Sequence, residues 1–183
     1  MIALWYVSRA TGVLALLLLT GTVVLGALTG GRAVSVTWPR FAVAALHRNL
    51  SLLTLAFVVV HVTTAIVDSY AGIGWLDAVV PFVSVYQPFW LGLGAVAFDL
   101  LLALLITSLL RTRIAPRVWR AVHWAAYACW PVALVHGFGI GAGDSQSAPG
   151  VVVAFACVAA VVGAVGWRAV ATHPDSEARK AHR

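Results

Sequence analysis

His47, His61, His123 and His136 are the residues of this chain best equipped for chemistry, because neutral imidazole is a good ligand for iron and other transition metals. They fall into two couples, His47 with His61 and His123 with His136, spaced 14 and 13 residues apart. On a helix rising about 1.5 Å per residue, either spacing separates the two imidazoles by about 20 Å. Ligands that far apart cannot share one ion, which argues against a single zinc site. The pattern points instead to two centres, each drawing one histidine from each couple.

The elements that must position them are membrane helices. The chain has 183 residues, of which 62% are hydrophobic and only 10% charged, with a mean hydropathy of +0.96. So little charge cannot cover a soluble domain of this size. The apolar runs are continuous rather than alternating, so helices and not a barrel are expected. Five spans are read at residues 11–28, 42–67, 89–110, 118–139 and 151–170, giving an all-α integral membrane bundle over residues 1–171 and a solvated tail over 172–183. The first run is longer than the core of a signal peptide and lacks a small-x-small cleavage site, so it is read as a span. Residues 68–88, with Tyr70, Trp75, Pro81 and Tyr86, read as an interfacial loop. Cys129 and Cys157 lie inside apolar runs and read as small core residues.

The net charge of +6 sits in arginines at helix ends, which suits lipid headgroups and not nucleic acid. Arg32, Arg40 and Arg48 flank one side of the membrane with Arg111, Arg113, Arg117, Arg120 and the tail. Asp68, Asp77 and Asp144 mark the other. The positive-inside rule then puts the amino terminus outside and the carboxyl terminus inside a cytoplasmic membrane, with Arg9 alone on the outer side. The second and fourth spans therefore run parallel. His47 and His123 share an inner level, His61 and His136 an outer one. Fourteen steps of about 100° leave His47 and His61 on one face, but thirteen leave His123 and His136 about 140° apart on a straight helix. Pro131 lies between them and can kink that helix.

A haem wedged between two helices takes one axial histidine from each side, and with both positions filled it transfers electrons rather than binding oxygen. The segments HRNLSLLTLAFVVVH and HWAAYACWPVALVH resemble the ferric reductase-like transmembrane domain. That superfamily includes NADPH oxidases, ferric reductases and the haem-bearing membrane subunit of a methionine sulfoxide reductase system. The resemblance implies two stacked b-type haems on His47, His61, His123 and His136. It also implies electron flow across the membrane from a cytoplasmic reductant. The chain has no glycine-rich dinucleotide fingerprint after a strand and ends soon after the fifth span. Flavin is therefore expected only through a partner, a cytoplasmic flavoprotein reductase, with ferric iron or a redox protein as the external acceptor. The alternatives are a haem-binding subunit of a methionine sulfoxide reductase system and a non-redox scaffold or transporter.

Several other residues are candidates for supporting roles. Arg48, Arg117 and Arg120 lie near the inner histidines and Arg9 near the outer ones, as cations either for haem propionates or for lipid phosphate. Trp130, with Phe57 and Tyr127, falls between the two levels, as a bridge or as core filling. Asp99 lies mid-span, as a proton relay, a partner for a ligand histidine or a structural contact. Gly21, Gly26, Gly92, Gly94, Gly163 and Gly166 allow close approach of helices or haem. The topology is checked with a tag at the carboxyl terminus, which is expected to resist external protease in intact cells; cleavage there overturns the orientation.

Overall fold

In a bilayer a helix must satisfy its backbone internally, and runs of Leu, Val and Ala do this over long stretches. The computed structural model describes residues 2–30 and 39–170, so Arg32 and the tail lie outside it. Eight helices follow in chain order: α1 (Ile2–Gly30), α2 (Arg40–Val67), α3 (Trp75–Val79), α4 (Pro88–Leu109), α5 (Pro116–Trp124), α6 (Ala126–Ile140), α7 (Ala142–Ser145) and α8 (Ala148–Val170). No strand occurs among the described residues. By length and composition α1, α2, α4 and α8 can each cross a membrane. Their outward faces carry exposed apolar side chains such as Leu52, Ile106 and Phe155, as contact with lipid requires.

The span expected over residues 118–139 is not one helix. α5 stops at Trp124 and α6 begins at Ala126. At the junction Ala125 N–H donates to the Val122 carbonyl at 2.9 Å and Ala128 N–H to the Ala125 carbonyl at 3.0 Å. Both are three-residue contacts, so the chain is wound tighter here than an α-helix. α5 carries Arg117 and Arg120 exposed, whereas α6 is apolar apart from His136. Inside α6, Pro131 has no N–H to return to the turn before it. An angle reckoned along one straight helix therefore does not apply between His123 and His136.

α1 is the hub, packing against α2, α6 and α8, while α4 packs against α6, α5 and α3. α2 meets the bundle chiefly through α1, so α2 and α6 face one another without close backbone contact. The core, formed among α1, α4, α6 and α8, holds Leu19, Val23, Ala97, Cys129, Trp130, Cys157 and Val161. Trp130 is 7% exposed and donates its indole N–H to the Thr20 hydroxyl at 2.9 Å, which in turn donates to the Leu16 carbonyl at 2.8 Å. Cys129 and Cys157 are buried and unpaired, as expected. At the far side of α6, Arg168 of α8 donates to the Tyr127 hydroxyl at 2.9 Å and lies 5.3 Å from the Trp124 ring centre. This ties α8 to the α5–α6 junction. The loop between α2 and α4 is exposed at Tyr70 and Trp75 and contains α3. Gly74 N–H there donates to the Asp77 carboxylate at 2.8 Å. Removing the Trp130 side chain should leave a large cavity; Trp130→Ala is expected to cost about 3–5 kcal/mol, seen as a lower thermal midpoint in detergent. Trp130→Phe is expected to cost less.

Candidate functional site

The four histidines meet in pairs across the space between α2 and the α5–α6 segment. His47 and His123 have ring centres 6.4 Å apart with planes at 58°. His61 and His136 lie 6.3 Å apart with planes at 76°. Two imidazoles bound through nitrogen on opposite sides of one metal, with bonds of about 2.0 Å, place their ring centres about 6 Å apart. Both pairs have that separation. The first pair sits at the end of the bundle that carries α5, the second at the end that carries α3 and α7. No group of three or more His, Cys, Asp or Glu side chains converges among the described residues. Each level thus offers a metal two nitrogens, and any remaining ligands must come with a cofactor.

Three of the imidazoles are anchored in the same way. His61 Nδ1 donates to the Ser8 carbonyl at 2.7 Å, His47 Nδ1 to the Thr22 carbonyl at 3.1 Å and His136 Nδ1 to the Trp90 carbonyl at 2.8 Å. A carbonyl can only accept, so the proton of each neutral ring is fixed on Nδ1 and Nε2 keeps its lone pair for a metal. Ser8 adds a hydroxyl contact of 3.3 Å to the His61 carbonyl.

Four residues after each accepting carbonyl stands a glycine: Gly12, Gly26 and Gly94. A helical Cβ leans toward the amino terminus and overhangs the carbonyl one turn back. A methyl at Gly94 would lie 2.6 Å from His136 Cε1, at Gly12 3.0 Å from His61 Cε1 and at Gly26 3.4 Å from His47 Cε1. Glycine leaves the second lone pair of a carbonyl already used in the helix open to the imidazole. Gly26 and Gly94 were expected at close approaches. Gly12, Ser8, Thr22 and Trp90 were not read from the sequence. The signal was there: Gly12 and Gly26 are 14 residues apart, as are His47 and His61 on the antiparallel neighbour.

A cavity of about 620 Å³ opens beside His61 and His136, within the range that cofactors occupy. Its wall includes Trp5, Arg9, Gly12, Gly94, Phe98 and Asp144. Arg9 Nη1 donates to the Gly141 carbonyl at 2.7 Å and pairs with Asp144 at 3.0 Å, and the guanidinium lies 4.3 Å from the Trp5 ring centre. The structure therefore places Arg9 at this level and ties it to the turn before α7. Arg48, Arg117 and Arg120 are exposed near the other pair. Trp119, one turn before His123, stacks on its ring at 4.8 Å and 22°. It was not singled out from the sequence, although four residues on a helix share a face. Trp130 lies between the levels in the core. Asp99 makes no hydrogen bond or ion pair among the described residues, so it orients none of the four histidines.

Compared with known families, residues 11–134 match the ferric reductase-like transmembrane component. The match includes His47, His61 and His123 and stops two residues before His136. No curated protein and no solved structure was found to match the chain. Members of this family typically bind haem. The residues present fit that group: it brings four ring nitrogens of its own and needs two axial ligands, which is what each level supplies. Alanine at the glycines is expected to act in the order of the contacts above. Gly94→Ala should weaken cofactor retention at the His61–His136 level about 10- to 100-fold, Gly12→Ala less, and Gly163→Ala, where a methyl meets nothing, not at all. Cofactor-to-protein ratios of the purified variants check this. Equal ratios across all three would remove the glycines from the site.

Proposed function

The chain belongs to the ferric reductase-like transmembrane component family, and we propose that it is a dihaem b-type cytochrome that moves electrons across a cytoplasmic membrane. The observation that carries this reading is the two cross-gap histidine pairs, His47–His123 at 6.4 Å and His61–His136 at 6.3 Å, about 20 Å apart along the helices. His47 with His123 would hold one haem and His61 with His136 the other. Bound haem supplies one-electron chemistry at iron. The chain's own part is to present Nε2 from four rings, in three of which a backbone carbonyl fixes the tautomer, and to keep water from the space between. The buried core around Trp130 and Cys129 lies at a depth between the two levels.

The positive-inside rule puts the α5 end in the cytoplasm. Exposed Arg111, Arg113, Arg117 and Arg120 there present a cationic face to a flavoprotein reductase, which would bring the flavin. The nearer arginines, with Arg48, also suit the propionates of the inner haem. At the opposite end Arg9 uses only Nη1 on Asp144 and Gly141, leaving other donors for the outer haem. Ferric iron or an external redox protein would take the electron there.

Visible spectroscopy of the purified protein tests the reading. Two low-spin b-type haems per chain are expected, reducible by dithionite. His47→Ala and His123→Ala should alter one spectral component, and His61→Ala and His136→Ala the other. A colourless protein, or variants of one pair altering different components, overturns the proposal.

A further inference from the structure

The two levels are not built alike. Three histidines have a carbonyl and a glycine behind them, and His123 has neither. Its Nδ1 is enclosed by protein yet has no hydrogen-bond partner, and the same holds for Nε1 of Trp119, stacked against it. α4 serves His136 with the Trp90 carbonyl and Gly94, and no corresponding carbonyl reaches Nδ1 of His123 among the described residues.

Hydrogen bonding of the distal ring nitrogen fixes a ligand histidine's orientation and strengthens its donation, and its loss commonly weakens metal binding about 10- to 100-fold. We infer that His123 is the exchangeable axial ligand, and that the iron it shares with His47 accepts a small neutral ligand from solution, of the carbon monoxide or imidazole class. The inference rests on the dihaem reading. The exchange is a substitution without net redox change. The iron–Nε2 bond to His123 breaks, its electron pair stays on the imidazole, and the incoming ligand donates a pair in its place. His47, held by the Thr22 carbonyl, stays bound on the opposite side. The stacked Trp119 gives the released ring a flat surface to rest on.

Carbon monoxide titration of the dithionite-reduced, two-haem protein tests this. About half of the haem is expected to bind it, and the reactive component is expected to be the one altered in His47→Ala and His123→Ala. Gly94→Ala, which disturbs His136, should make the second haem reactive as well. Two low-spin haems indifferent to carbon monoxide, reaction at the His61–His136 component alone, or equal reaction at both each overturn the inference while leaving the dihaem reading in place. A protein without haem overturns that reading instead.

Discussion

A helical carbonyl has two lone pairs, and the helix uses one of them. Whether a side chain from a neighbouring helix can reach the other depends on the Cβ of the residue four positions on. Most of the site's geometry follows from that steric condition. Where glycine stands at the overhanging position, an imidazole can lie flat against the neighbouring helix, give its Nδ1 proton to the carbonyl and direct Nε2 away. Gly12, Gly26 and Gly94 meet the condition for His61, His47 and His136. In an environment without water to bond, the alternative for each ring would be an unpaired donor, which is costly in a low-dielectric interior. The same contact thus satisfies a buried polar group, selects its tautomer and sets the closeness of α1 to α2 and of α4 to α6.

Helix packing and site geometry are for this reason one problem. α1 approaches α2 closely because glycines and small residues face it, and α2 stays clear of α6 because the imidazoles of both point into the intervening space. Between the two levels Trp130 on Thr20 and Cys129 against the Ala97 carbonyl hold α6 to α1 and α4. Polar ties at the ends are of a different kind. Arg9 with Asp144 is solvated enough to contribute little alone, and it holds the turn before α7 against α1. Arg168 on Tyr127 does the corresponding work for α8.

The bundle, the histidine couples and their partners across the gap could all be read from spacing and apolar runs. The pairing of His47 with His123 and of His61 with His136 needed only that their helices run parallel. What spacing could not supply was the course of the chain between His123 and His136. Thirteen residues on an ideal helix leave the two facing apart, and the tight turn at Ala125 together with Pro131 is what lets both face α2. A rule based on one rotation per residue cannot anticipate where winding changes. Gly12 was illegible for another reason. Its meaning depends on which carbonyl of one helix lies beside which ring of another, and a single sequence holds no record of that register.

α1 supplies an anchoring carbonyl to both levels, Ser8 at one and Thr22 at the other, with no break in the helix between them. It therefore acts as a ruler. The vertical distance between the two centres is copied from fourteen residues of covalent helix, and tilting or breathing of the bundle moves both centres together. Inserting or deleting a single residue between Gly12 and Gly26 would rotate one notch by about 100° relative to the other and shift it by about 1.5 Å, so only one level could remain seated. Length variation in this stretch should accordingly be tolerated far less than substitution. The first helix, which carries none of the four histidines, is where the chain has least freedom to grow or shrink.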